Sequence, residues 1–522
     1  MGYGKNIQTN MIQKVSSSEV KQYTPHWDKH QPSFTGVGEV FLQGMQVLEK
    51  YPMLNVSALD LSTAIIPRTV IETKESNAFA GMEAFRRESS GLIVNCLLPS
   101  FIVMGAAKLL EKPIMKTFGK ASLSNIWANE ESLNLIQRYM QGAKGTGSEK
   151  IEDALQAFLK DVKGIDGSEW KNFKDFDLKG GIKAVVESTD RKTFNKGFEQ
   201  IANTTHMTEH LVHDGKTLSK NLQGMIEDFI HVGRAIEKEG IKDSTQLANY
   251  VKRATKLVNA KSLAGLGVII PLAISMQPIN RWITSKQSGV KGAPIYKDYT
   301  ESTDNKELTH IEKRDLFKQK IISIASMLGV AFLSMGMKLP NKQMLQFKGI
   351  FPTMDQARLI STATFASRMA ASEDKNELRE ATIRDIATFS SLYFLGDYAA
   401  KAVATLIEKV RPDVKLLNKL TPTPENAGGW KKFTHWLKDV SLKSSEEVAT
   451  KTAKNFRTVC HLGNLAFSLL VLGLFIPLYN RTQTNKKREA ELKKMAESIN
   501  STDGFLKDQI KTQSPAFKAF FQ

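Results

Sequence analysis

The sequence predicts an all-α, multi-pass helical membrane protein, and three observations predict it. Apolar stretches of helical length recur at 91–110, 262–280, 321–337, 386–407 and 461–480. Lysine and arginine gather beside these stretches. The mean hydropathy of −0.27 is too polar for a chain made only of spanning helices. About four or five apolar helices are therefore expected, with a polar helical region between the first and the second.

The totals narrow the partners. The net charge is +18, and the excess recurs beside the apolar stretches rather than in one block. That distribution favours a bilayer with anionic headgroups. A nucleic-acid surface needs clustered cations interleaved with stacking aromatics, and only 430–438 hints at that, so nucleic acid is not expected. Two cysteines, Cys96 and Cys460, cannot make a disulfide framework or a four-cysteine zinc site. No cofactor is implied.

Residues 1–35 form a polar tail without an apolar signal core, so insertion is expected to use internal segments. Residues 36–110 hold amphipathic helices and the first apolar helix. Within them Glu83 and Arg87 are spaced i,i+4, which reads as a weak surface pair. The run 83–88 reads as a solvated or interfacial helix face ahead of a headgroup or partner site. The apolar run 91–110 carries Asn95 and Pro99; proline is tolerated in a spanning helix when neighbours satisfy the freed carbonyl.

Residues 111–260 are a polar helical domain, with helical patterns at 128–141, 149–162, 192–212, 218–238 and 244–259. GAKGTGSEK at 142–150 lacks phosphate-loop spacing and reads as a linker. His206-Met207-Thr208-Glu209-His210 resembles the H-x-x-E-H string of the inverted zinc peptidases over five residues. On a helix His206 and His210 would share a face, with Glu209 as general base, and His213 would add an imidazole at i+7. The all-helical setting and the lack of a third carboxylate ligand favour an ordinary helix end.

Residues 261–408 are the central membrane helices with basic loops. Trp282 follows 262–280 beside Arg281 and Lys286, an interface-anchor pattern. The stretch 321–337 has small residues suited to close helix packing. Residues 372–385 read as the end of a polar helix, with Ser372 as its N-cap. The stretch 386–407 contains Asp397, which costs roughly 2.5–3.5 kcal/mol at mid-membrane, and Lys401 one turn on as a possible ion-pair partner.

Residues 409–460 are a Pro/Gly linker and an amphipathic helix, in which Trp430 and Trp436 suit a membrane surface or a packed core. The C-terminal transmembrane helix, 461–480, carries only Asn464 and Ser468 as clearly polar interior groups. Residues 481–522 form a basic tail, which points to a cytoplasmic C-terminus. Gly267-Val-Ile-Ile-Pro271-Leu272 echoes Gly473-Leu-Phe-Ile-Pro477-Leu478, and Asn-Arg follows each (280–281, 480–481). The echo would fit two related halves, as in transporters with internal repeats, but any helix leaving a membrane tends to end in Pro, Asn and Arg, and that second reading is preferred.

The connections 281–320, 338–384 and 408–460 are all basic, although successive loops should alternate sides. Demoting 386–407 leaves four spans, with 338–460 on one side and both termini on the other. The expected role is non-enzymatic membrane organisation, anchoring or assembly, of bacterial inner-membrane type, with possible protein partners. A transporter or channel subunit is the rival; it requires Asn95, Asp397 and Asn464 to converge at mid-depth. A zinc-dependent hydrolase at His206, Glu209 and His210 is the third reading.

Overall fold

The computed structural model describes residues 44–45, 48, 52–115, 127–164, 175–205, 211–289, 309–336, 342–349, 351–419, 428–443, 448 and 451–500. It is 83% helical with almost no sheet. Among the described residues four helices are long and apolar enough to cross a membrane: Ala78–Glu111, Ser244–Ser288, His310–Ser334 and Thr452–Lys487. The stretch 386–407 is not among them.

The first group comprises α1 (Pro52–Leu59), a π-helical turn (Asp60–Ile65) and α2 (Ile66–Glu75). Asn77 then accepts from the Ala80 amide and starts α3 (Ala78–Leu92). A second π-turn (Ile93–Leu97) leads without a break into α4 (Leu98–Met115). The charged run 83–88 and the expected apolar helix at 91–110 thus share one rod, while 69–75 belong to α2.

The polar region has its own core. α5 (Glu130–Gly142), α6 (Ser148–Asp161), α7 (Asp175–Glu187), α8 (Arg191–Thr205) and α9 (Leu222–Lys238) surround Leu133, Ile136, Phe158 and Phe229. A small antiparallel sheet joins β1 (Lys163–Gly164), β2 (Leu211–His213) and β3 (Lys216–Thr217). Asp214 (φ 48°) and Gly215 (φ 73°) make the β2–β3 turn. Asp-Gly suits two successive positive φ values, which a two-residue hairpin of this hand requires. The expected helix over 192–212 therefore ends at Thr205, and His213 lies on a strand.

α10 (Ser244–Ser288) unites the expected helices 244–259 and 262–280. Its first turns place Tyr250, Val251 and Leu257 in the core of the polar region. Further along, Leu266, Ile269 and Ala273 pack with Val94 and Val103 of the first apolar rod. Gly265 permits that contact, because a Cβ there would lie 2.4 Å from Val103 Cγ2.

The remaining chain repeats the pattern of rods. It runs through α11 (His310–Ser334), α12 (Lys342–Leu345), α13 (Met354–Ala371), α14 (Lys375–Ser390), a π-turn (Ser391–Leu395) and α15 (Gly396–Val410). α16 (Gly429–Asp439), flanked by paired strands β4 (Leu417–Lys419) and β5 (Val440–Leu442), precedes the last rod. That rod is α17 (Lys451–Ser468), a π-turn (Leu469–Phe475) and α18 (Ile476–Asn500). α14 is capped by Asp374, which accepts from the Asn376 and Glu377 amides at 2.7 and 2.8 Å, and not by Ser372, which ends α13.

The contact at Gly265 yields a paired prediction. Gly265→Leu overpacks the α10–α4 seam and should destabilise by about 1–3 kcal/mol. Gly267→Leu points into open space and should be near neutral. Thermal unfolding of the two variants in detergent compares them directly.

Candidate functional site

The polar residues with most to explain lie inside the bundle. Glu88 is 4% exposed, Arg368 4% and Asp385 0%. Charges are seldom fully buried unless paired, and here they are. Glu88 Oε1 receives Arg68 Nη1 at 3.5 Å and Arg87 Nε at 3.2 Å, and Oε2 receives Arg368 Nη1 at 3.1 Å. Asp385 Oδ1 receives Arg384 Nε at 2.9 Å and Arg368 Nη1 at 3.4 Å. Arg68 Nη2 also donates to Thr388 Oγ1 at 2.6 Å. Four guanidinium groups from α2, α3, α13 and α14 thus converge on two carboxylates.

Further ion pairs continue the same layer. Arg281 of α10 binds Glu83, at 3.2 Å, and Glu377. Arg481 of α18 binds Glu72. Asn280 Nδ2 donates to the Glu83 carbonyl and Asn480 Nδ2 to the Glu380 carbonyl, each at 3.2 Å. The run 83–88 is therefore not a solvated face. Glu83 is 2% exposed, and it pairs with Arg281 rather than with Arg87. Sequence spacing named the local partner, but a residue almost two hundred positions away competes better because it shares the buried environment.

Beside the layer is a small cavity of about 20 Å³, room enough for ordered water. Asp60, Glu88, Asn95, Arg368, Thr388 and Tyr393 are among the residues that line it. Asn95 accepts from Thr364 Oγ1 at 3.0 Å, and Tyr393 OH is 2.7 Å from Ser361 Oγ.

The other sequence candidates separate from this place. Asn464 Oδ1 accepts from Ser468 Oγ at 3.2 Å and sits against Gly396, where a Cβ would come within 2.2 Å of it. Asp397 is exposed and makes no ion pair with Lys401. Lys401 Nζ instead donates to the carbonyls of Trp436 (2.6 Å) and Val440 (2.8 Å) and lies 4.4 Å from the Trp436 ring centre. These acceptors sit at the C-terminal end of α16, where free carbonyls favour a cation. Asn464 thus adjoins the residue before Asp397, while Asn95 bonds Thr364 beside the cavity.

Among the expected anchors, Trp282 is 62% exposed and Trp430 75% exposed. Trp436 docks on α15, with Nε1 donating to Thr405 Oγ1 at 2.9 Å. His206, Glu209 and His210 lie outside the described residues. His213 is described, and it serves the core of the polar region. Its Nε2 is 2.6 Å from Tyr139 OH, which also donates to Asp161 at 2.8 Å. Burial and the Asp161 carboxylate push the Tyr139 hydroxyl above the ordinary phenol range, so it stays protonated. Among the described residues no group of three His, Cys, Asp or Glu side chains is placed to hold a metal ion.

The ionic layer was missed because each of its strings reads locally as a polar helix. The available signal was repetition: Glu-Ala-x-x-Arg followed by an acid stands at 83–88 and again at 380–385. No family model, no curated protein and no solved structure matches this chain.

Two predictions follow the geometry. Glu88→Ala leaves several buried guanidinium groups short of a counter-charge and should cost about 3–5 kcal/mol; a fall in the detergent melting temperature against wild type reads it out. Tyr139→Phe strips His213 and Asp161 of their shared partner and should cost about 1–3 kcal/mol, measured by chemical denaturation of the full chain.

Proposed function

We propose that this chain is a multi-pass protein of the cell membrane, non-enzymatic, which organises or assembles partners by holding its polar helical region at one membrane face. The observation that carries the membrane reading is an inverted surface. Phe101 (70%), Leu263 (67%) and Phe475 (64%) face outward while the carboxylates of Glu88 and Asp385 face inward. Between 17% and 44% of the four apolar helix windows is buried, so most of their surface lies open. In water contiguous apolar patches of this kind are rare; in lipid they are the expected exterior, and intramembrane charges turn to the interior.

α10 supports the organising role. One helix belongs to the core of the polar region at its start and to the apolar bundle further on, so the region is carried without a flexible joint. The exposed basic residues after 480, including Lys486 and Lys487, support a cytoplasmic C-terminus beside anionic headgroups. Trp282, with Lys286 Nζ 6.0 Å from its ring centre, suits the same interface. Transport is a second reading, and the polar cavity beside the ionic layer favours it.

Carbonate extraction and detergent partition of the tagged chain test the proposal. The full chain should stay with the membrane pellet and enter the detergent phase. A form lacking 455–522 should be released more readily. Quantitative release of the full chain by carbonate would sink the membrane reading.

A further inference from the structure

Two segments of this chain carry the same ionic string, and the arginine and acid that end it pair alike in both, although Glu83 binds Arg281 whereas Glu380 accepts from Thr484. Glu83-Ala84-x-x-Arg87-Glu88 recurs as Glu380-Ala381-x-x-Arg384-Asp385. Each runs on, within one continuous rod, into a π-turn, Ile93–Leu97 or Ser391–Leu395. Each is preceded by a helix that sends an arginine to the acid ending the string: Arg68 to Glu88 at 3.5 Å, Arg368 to Asp385 at 3.4 Å. The second nitrogen of that arginine reaches the other string, three residues past its acid. Arg68 Nη2 meets Thr388 at 2.6 Å, and Arg368 Nη2 lies where a side chain at Gly91 would be 3.0 Å away.

The closing helices match as well. Asn280-Arg281-x-x-Thr284 and Asn480-Arg481-x-x-Thr484 each give their asparagine to the carbonyl of the first string residue, Glu83 or Glu380, at 3.2 Å. Each threonine takes an arginine from the neighbouring helix, though from different places in it: Arg86, three residues after Glu83, at 2.7 Å, and Arg379, one before Glu380, at 2.8 Å. The leading helices are exchanged. Residues 52–75 bring Glu72 to Arg481 and the Thr63 carbonyl against Gly473, whereas α13 sets Ile360 beside Leu266 and Ile269 of α10. Mutual exchange of this kind is what a two-fold relation produces.

We infer that the membrane part is an internal duplication. One unit is 52–75, 78–115 and 244–288; the other is 354–371, 375–410 and 452–500; α11 links them, and a pseudo-two-fold axis passes through the Glu88–Asp385 cluster. The polar region and the segment 411–451 are insertions at the same point of each unit. The axis runs along the bundle, because the chain beyond both strings lies on one side of the ionic layer. Asn95 there bonds Thr364, Ser361 bonds Tyr393, and Cys96, Leu392 and Leu472 share one core.

The duplication assigns depth. Between Lys261, which sits 4.5 Å from the Trp127 ring centre at the edge of the polar region, and Arg281 in the ionic layer, α10 rises roughly 30 Å. That is one hydrocarbon thickness. The ionic layer then marks one membrane face and the polar region the other. As the counterpart of 78–115, the rod 375–410 also crosses, and so do the leading helices 52–75 and 354–371. The linker 372–374 emerges on the side of the C-terminal tail, and Asp413 on the side of the polar region. The polar cavity, lined from both units, lies at the repeat interface beside the ionic layer.

This inference rests on the membrane reading, and its test separates the two. Glu373 and Asp413 are both exposed, whereas Cys96 and Cys460 are buried. Glu373→Cys and Asp413→Cys are labelled with a membrane-impermeant maleimide in right-side-out and inverted vesicles, with the wild-type chain as the unlabelled control. The duplication expects the two positions to label in opposite vesicle preparations, Glu373→Cys together with a cysteine at Lys486. Labelling of both in the same preparation would overturn the duplication's assignment of depth and leave the membrane reading standing. Equal labelling of each in both preparations would overturn both.

Discussion

Burying charge is the constraint on which the rest of this structure depends. Glu88 and Asp385 sit away from water with Arg68, Arg87, Arg368 and Arg384 around them. An ion taken out of water loses several kcal/mol of hydration, and Coulomb attraction offsets this only in good geometry. Each helix that supplies a member of the set is thereby fixed in rotation and height. α2, α3, α13 and α14 cannot slide without breaking a pair. The ionic layer therefore gives register to a bundle whose apolar faces alone would tolerate many alignments, since lipid offers no hydrophobic preference between one helix and another.

Close packing acts on top of that register. Gly265 against Val103, Gly473 against the Thr63 carbonyl and Gly396 against Asn464 each need a missing side chain. These contacts lock spacing where the charges lock height. α10 carries the same geometry out of the bundle: Leu257 belongs to one core and Leu266 to another, on one uninterrupted helix. A displacement of the polar region must therefore be transmitted to Arg281, and through it to Glu83 and Glu377.

The apolar helices were legible in the sequence, because hydropathy over a helical length is a local property. The continuity of α10 across 260 was not. A change from a core-facing to a lipid-facing pattern looks like an end of helix when no proline or glycine is consulted. The ionic layer was illegible at the level of pairs. Glu83 and Arg87 satisfy the i,i+4 rule, yet Glu83 goes to Arg281. His213 showed the opposite error: spacing grouped it with His206 and His210, while the Asp214-Gly215 turn, visible in the sequence, puts it on a strand facing Tyr139.

The stretch 386–407 falls outside the four candidate spans, and the inferred duplication would nonetheless have it cross. Its penalty came from Asp397 and Lys401, counted as if both faced lipid. Lys401 does not: three carbonyls at the end of α16 and the faces of Tyr398 and Trp436 surround its ammonium. A cation so enclosed carries little of the cost assigned to a bare charge in hydrocarbon. The amphipathic helix 429–439 covers that lysine and leaves Trp430 and Phe433 on its outer side. The same logic explains the charged strings at 83–88 and 380–385. A residue type is expensive at depth only until its partner is known, and here the partners lie on other helices, where no window along a single stretch of sequence can find them.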